Sequence, residues 1–182
     1  LIDKKIKNVI HLAASIDNNE SVLRPNKYYI NNYLKVKKFI KNCEKAKIKY
    51  FIFSSSAAVY GKTNCFKPIN EKFKSKPITP YGKSKLACEN TLKKLNESNG
   101  NPVIIYRLPG IFGKWCKPNY NSVVATFCHN IAREIPINID DPNSIIELIY
   151  IDDVIKKFIS LIDCSAEKIN SKNFENIKPC YK

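Results

Sequence analysis

The chain has 182 residues, with 31 Lys and Arg against 16 Asp and Glu for a net charge of +15, and 44% of it is apolar. This is the length and balance of one domain with a packed core, too short for two, and no apolar run approaches the roughly 18–20 residues of a membrane span. The charge invites a nucleic-acid reading, but only Arg24, Arg107 and Arg133 are arginines and the lysines are scattered among many Asn and Ile, which speaks for compositional bias and against a phosphate-binding face.

In chain order, residues 8–14 form a short apolar run that ends in small side chains, the pattern of a buried parallel strand where it meets a ligand. A polar loop then precedes a helix over 26–47. There Tyr29, Tyr33, Val36, Ile40 and Cys43 recur at four- and three-residue steps, giving one apolar stripe opposite a lysine-rich face. Residues 50–53 make a second, continuously apolar strand that ends in Ser54, Ser55 and Ser56. A loop holding Pro68, Pro77 and Pro80 leads into a helix over 80–97, with proline in the first turn where its missing N–H costs nothing. Residues 102–108 are a third strand, 122–133 an amphipathic helix through Val123, Val124, Phe127, Ile131 and Ala132, and 145–151 a strand before a helix that runs to about Ile162. From Cys164 onward the chain is polar and without period.

Strands that alternate with helices, each strand apolar on both faces, predict an α/β domain over 1–163 built on a parallel sheet. The polar tail covers 164–182. Ligands of such sheets bind outside the carboxyl ends of the strands. Here those ends carry residues 11–14, 54–56 and 107–110.

The chain contains no methionine and begins with a bulky leucine, so it is expected to be an internal piece of a longer protein. Its seven cysteines (Cys43, Cys65, Cys88, Cys116, Cys128, Cys164 and Cys180) are odd in number and hold no C-x-x-C pair, which speaks against a disulfide framework or zinc ribbon and for a reducing, cytoplasmic setting. Cys43 and Cys128 fall on apolar helix positions and are expected to be buried. His11 and His129 are too isolated for a metal site, so none is predicted.

The stretch richest in chemistry is 56–61 (Ser-Ala-Ala-Val-Tyr-Gly), then Glu71, then 80–85 (Pro-Tyr-Gly-Lys-Ser-Lys). Tyr81 and Lys85 are four apart on a helix and share one face. A phenol with its reference pKa of about 10 needs roughly 4 kcal/mol of differential stabilisation to act as a base near pH 7, and a neighbouring ammonium is a means of supplying it. A serine at an adjacent strand end would hold the reacting oxygen. By itself Tyr-x-x-x-Lys occurs in many helices as a half-buried tyrosine and a solvated lysine; it gains meaning only behind the serine-rich strand end and the Val59-Tyr60-Gly61 turn.

In this combination the chain resembles the NAD(P)-dependent epimerase/dehydratase family, the extended short-chain dehydrogenase/reductases that act on nucleotide sugars. Over about 9–95 it is similar to the UDP-glucose 4-epimerase branch, in residues 11–14, Glu20-Ser21-Val22, Pro25, Tyr28-Tyr29, Asn31-Asn32, 51–61, Glu71 and 80–85. Residues 107–122, 125–128 and Tyr150-Ile151-Asp152-Asp153 are similar to the capsular-polysaccharide UDP-hexosulose reductases, which reduce 4-keto nucleotide sugars.

The resemblance implies a Rossmann-like, doubly wound parallel sheet, N-terminally truncated, and Ser56, Tyr81 and Lys85 as catalytic residues. It implies Leu12, Ala13, Ala14, Asn32, Ser54, Tyr81, Lys85 and Leu108 as contacts to NAD or NADP, and Ala58, Gly110 and Asn121 as contacts to a UDP-sugar. Substrate-binding elements would lie over about 110–150, and a homodimer is expected of the full-length protein. One of Asn31 and Asn32 becomes a structural or proton-relay group near the site. Dehydration ranks last among the family's reactions, because Ala57 and Ala58 stand where a dehydratase has an acid.

Departures are equally plain: Gly110 replaces a common Asn, Ile146 stands where many epimerases have Arg, and the family's opening strand and G-x-x-G-x-x-G turn are missing. That leaves 9–12 an apolar sheet edge and keeps a non-catalytic, truncated form open as the alternative. Trp115 and Tyr120 would either face a sugar or anchor their loop in the core. Of Asp152 and Asp153, one is expected as a helix N-cap.

Overall fold

The computed structural model describes residues 6–62, 69–100, 102–139 and 141–162. Cys65, Pro68, Cys164, Cys180 and the predicted polar tail lie outside the described residues. The chain divides into two compact units, one reaching Leu108 and one over Pro109–Leu161. No described helix is long and apolar enough to cross a membrane.

Strands β1 (Asn8–His11), β2 (Tyr50–Ser56) and β3 (Val103–Leu108) form the parallel sheet of the first unit, in the order β1-β2-β3. Asn8 sits opposite Tyr50 and Phe51 opposite Val103. Among the described residues β1 is an edge strand, as the sequence implied. A parallel step needs a crossover, and the helices supply both. Between β1 and β2 run α1 (Asn18–Leu23), α2 (Pro25–Tyr28), a π-helical segment at Tyr29–Leu34 and α3 (Lys35–Lys45); between β2 and β3 run a 3₁₀ turn at Ala57–Val59 and α4 (Pro80–Asn99).

The register decides the core. Side chains alternate across a strand, so Val9, Phe51, Phe53 and Ile105 share one face, and Val36, Ile40 and Cys43 of α3 and Cys88, Leu92 and Leu95 of α4 pack on it. Burying a Phe or Leu of this set contributes roughly 1.5–3 kcal/mol each. Helix α4 is bounded as its sequence dictates. Thr79 caps its first turn by accepting from the Gly82 N–H at 3.2 Å, Pro80 occupies the first position, and Gly100 ends it in the left-handed region at φ 66°.

In the first unit two local features differ from the sequence reading. The polar loop before residue 26 contains α1, a six-residue helix capped by Asp17, too short and too exposed at Val22 and Leu23 to show a period. The helix expected over 26–47 is not uniformly α: its middle is π-helical, which places Asn32 inward, 2% exposed.

In the second unit β4 (Gly110–Phe112) pairs in parallel with β5 (Leu148–Tyr150), and α5 (Val123–Ile131) and α6 (Ile151–Ile162) complete it. The strand expected over 145–151 shrinks to three residues, because Ile145 and Ile146 are exposed and stand outside the pairing. Asp152 and Asp153 lie inside the first turn of α6, so neither is its N-cap; their charges favour the positive end of the helix dipole. Cys43 is buried, but Cys128 is exposed, as is Ile131 of the same α5 stripe at 64%.

Candidate functional site

Three serines extend β2 past its apolar half to Ser56, and the chain then turns sharply through Ala57–Val59. Ser56 accepts from the Ala58 N–H at 3.2 Å, which fixes its side chain at the strand tip. Helix α4 starts close by. A Cβ on Gly82 would lie 2.6 Å from the Ala58 carbonyl oxygen, so only glycine lets the first turn of α4 approach this tip. Gly61 ends the turn at φ 77°, against the Lys76 carbonyl.

That approach brings Tyr81 to Ser56. The Ser56 hydroxyl lies near enough to the Tyr81 phenol to favour its ionised form, the tyrosine is 8% exposed, and Tyr28 packs edge-on against the Tyr81 ring at 6.4 Å. Tyr28 donates to Glu20 at 3.0 Å, so the ring behind Tyr81 is itself held. One turn along α4, the Lys85 amine donates to the Ser54 carbonyl at 2.8 Å and stands 5.0 Å from the Phe53 ring centre and 5.9 Å from that of Tyr81. The phenol and the amine both aim at the serine-bearing end of β2.

The charge balance differs from the sequence expectation. Burial pushes the Tyr81 phenol up, and the nearby Ser56 hydroxyl opposes it only in part. Burial also brings Lys85 down to about 8. Burial dominates at the phenol, so the described residues by themselves do not make it acidic.

Sequence reasoning missed Glu89. It continues the Tyr81, Lys85 spacing by a further turn, and an acid on the apolar side of a helix was the signal. Glu89 is 0% exposed, accepts from the Ser55 hydroxyl at 2.5 Å, and takes Arg107 in a fork with Nε at 3.0 Å and Nη2 at 2.7 Å. Arg107 also lies 4.8 Å over the Tyr60 ring. Glu89 keeps Arg107 firmly charged despite its burial. Leu108, opposite Ser56 in the register, is buried beside this network at the end of β3.

At the end of β1 a cavity of about 450 Å³ is lined by His11, Ala13, Ala14, Asn31, Asn32 and Lys35, among others. Leu12, beside it, is 58% exposed. Asn32 brackets the post-strand loop, accepting from the Ser15 N–H at 2.8 Å and donating to the Ser15 carbonyl at 2.8 Å, while its own carbonyl accepts the Cys88 thiol at 2.9 Å. The His11 ring lies among Phe39, Phe51 and Phe53, burial lowers its pKa, and its Nδ1 is buried without a partner among the described residues.

In the second unit Gly110 and Asn121 are exposed, and the Lys114 amine pairs with Asp152 at 2.7 Å. Trp115 is 100% exposed with φ 64°, so it does not anchor its loop in a core, and Tyr120 lies under the Lys117 amine at 5.8 Å. Among the described residues no cluster of His, Cys, Asp and Glu has metal-binding geometry.

The family model of the NAD dependent epimerase/dehydratase family matches residues 1–175. The chain belongs to this family. It is 57% identical over 83 residues, 46% of its length, to a UDP-2-acetamido-2,6-beta-L-arabino-hexul-4-ose reductase of Pseudomonas aeruginosa, covering 22% of that protein. It is 38% identical over 111 residues, 61% of its length, to the UDP-glucose 4-epimerase of Azospirillum brasilense, covering 32% of it. Both kinds of enzyme named by the sequence resemblance are thus relatives of the chain. Among solved structures, a UDP-N-acetylglucosamine 4-epimerase from Methanobrevibacter ruminantium, in complex with UDP-N-acetylmuramic acid, is similar with a TM-score of 0.81 at 33% identity, over 88% of this chain and 51% of that one. The chain therefore spans about a fifth to a half of these three proteins, and the Rossmann-like α/β fold is shared.

Proposed function

We propose that the chain carries the Ser-Tyr-Lys set of a cytoplasmic, NAD(P)-dependent epimerase or reductase that works at C4 of a UDP-linked sugar in surface-polysaccharide synthesis. The observation behind this reading is the meeting of Tyr81 with Ser56, and of Lys85 with the Ser54 carbonyl, at one strand end. Ser56 holds the reacting sugar oxygen. Tyr81 takes or returns that oxygen's proton, and Lys85 orients the ribose of the cofactor and places positive charge beside the phenol. The elevated phenol of the chain by itself makes this charge, and that of a bound nicotinamide, a requirement for proton transfer near neutral pH. A bound nicotinamide supplies hydride acceptance and return at the sugar carbon.

The residues at the β1 end suit such a cofactor. Ala13 and Ala14 keep the cavity wall low, and Lys35 adds positive charge for a diphosphate. Leu12, Ala13, Ala14, Asn32, Ser54 and Leu108, with Tyr81 and Lys85, form the cofactor side, and Asn32 acts by bracketing the loop. Ala58, Gly110 and Asn121 would meet the sugar nucleotide. Exposed Val22, Leu23, Tyr29 and Ile30 on the α1–α3 stretch support a homodimer.

Titrating NADH and NADPH by fluorescence, followed by turnover of UDP-sugars, tests the reading. A saturable signal, with turnover lost in Tyr81→Phe while cofactor binding persists, is the expected result. Turnover retained in Tyr81→Phe removes that residue from its role. Absence of any cofactor signal leaves the non-catalytic reading of a truncated chain.

A further inference from the structure

Three charged groups share the space between α4 and the carboxyl ends of β2 and β3: the cations Lys85 and Arg107 and the single carboxylate of Glu89. Lys85 is 3% exposed and Glu89 0%, and the Arg107 side chain keeps 10% of its surface. Both Lys85 and Glu89 stand on the inward side of α4, one turn apart. Glu89 joins three elements. The Ser55 hydroxyl reaches it from β2 and the Arg107 fork from β3, and Ser55 and Arg107 are direct neighbours in the sheet register. Arg107 in turn stacks on Tyr60, which closes the turn that Ser56 opens.

We infer that Glu89 is a positioning residue that holds the tips of β2 and β3 to α4 through Ser55 and Arg107 and supplies the negative charge that keeps the Lys85 amine an ammonium. The inference rests on Lys85 being a working amine of the proposed site. Two cations in a dehydrated space with no anion would be costly, and the more easily discharged of them is the lysine, since a guanidinium keeps its proton under all ordinary conditions.

The other groups around Lys85 do not substitute for Glu89. From β1, His11 is held towards its neutral form by burial and by Lys85 itself. From β2 come the Ser54 carbonyl and the Phe53 ring, neither of them charged. On α4, burial pushes the Cys88 thiol up to about 12 and the Tyr81 phenol above its ordinary value, so both are neutral near pH 7. Arg107, from β3, adds a like charge.

The test reads Lys85 directly and does not require turnover. The chain is prepared with ¹³C-labelled lysine, the Lys85 resonance is assigned by its loss in Lys85→Met, and its titration is followed from pH 6 to 11. Glu89→Gln should move the Lys85 midpoint down by about one unit, as expected for loss of an opposite charge within one helical turn. Arg107→Gln should move it up, because the same carboxylate then has one cation to balance. Either variant decides by itself if the other fails to fold. Shifts of opposite sign, or the expected shift in the one variant that folds, support the inference. Unchanged midpoints, or a shift in the same direction in both, overturn it and leave the pair a structural clamp. The proposed function is judged separately by cofactor titration and by Tyr81→Phe.

Discussion

The two units of the chain place their candidate site groups differently. In the first, Ser55, Ser84, Lys85 and Glu89 are buried and each is tied to a partner on another segment or another turn. In the second, Gly110, Trp115, Asn121 and Tyr120 stand at exposed positions and the ion pair of Lys114 with Asp152 is solvated, with 61% of the lysine side chain open. The difference teaches where precision is built in. Groups proposed to move protons are fixed by burial and hydrogen bonds within one unit, whereas groups proposed to meet substrate sit on a surface that tolerates change.

Substitutions can break or sharpen this contrast. The largest effect is expected from Tyr81→Phe, which should lower turnover by about 10²–10⁴-fold, the usual contribution of a positioned proton-transfer group; steady-state kinetics with a UDP-sugar check it. Glu89→Ala leaves the Arg107 guanidinium buried without its carboxylate and should cost about 3–5 kcal/mol in urea unfolding. A loss under 1 kcal/mol would mean the network is dispensable and the contrast between units overstated.

Asn32→Ala removes the bracket on Ser15 and should cost about 1–2 kcal/mol, since two half-buried backbone groups lose partners. Lys85→Met should act in the other direction. The folded-state value of Lys85, about 8, lies below its ordinary 10.5, so burying the ammonium costs stability in full below about pH 8, and the cost is lifted as pH rises towards 10.5. The variant should therefore be more stable than the parent at pH 7, by about 1–3 kcal/mol, with the gap closing at pH 10. The smallest change is expected from Trp115→Ala, within about 0.5 kcal/mol of the parent in stability, because a fully exposed side chain has little packing to lose. A loss of several kcal/mol there would show that the second unit is also tightly built.

Much of the fold was legible in residue patterns. The apolar run at 50–53, the stripe through Val36, Ile40 and Cys43, and the proline that opens α4 each report a local preference, and parallel pairing follows from strands that alternate with helices. Short elements were not legible. Helix α1 and strand β4 contain too few residues for a period, and the Pro109 break between β3 and β4 reads as a simple strand end. The π-helical segment was hidden because nothing in the spacing of Tyr29 and Tyr33 distinguishes it from an α turn. Cys128 was misplaced because periodicity marks one face as apolar without saying whether anything covers it.

By itself, the sequence determined the family, the α/β alternation and the placing of Tyr81 and Lys85 on one helical face, since all of these depend on residue type and spacing alone. Tertiary structure decided the rest. The contact of Tyr81 with Ser56 depends on how closely Gly82 lets α4 approach the strand tip, and the Glu89 network on a register that sets Ser55 beside Arg107. The charge states depend on burial, which pushes the phenol up and the ammonium down, against what the bare spacing suggests. Solvation is a property of the packed volume around a group and cannot be read from its neighbours in the chain.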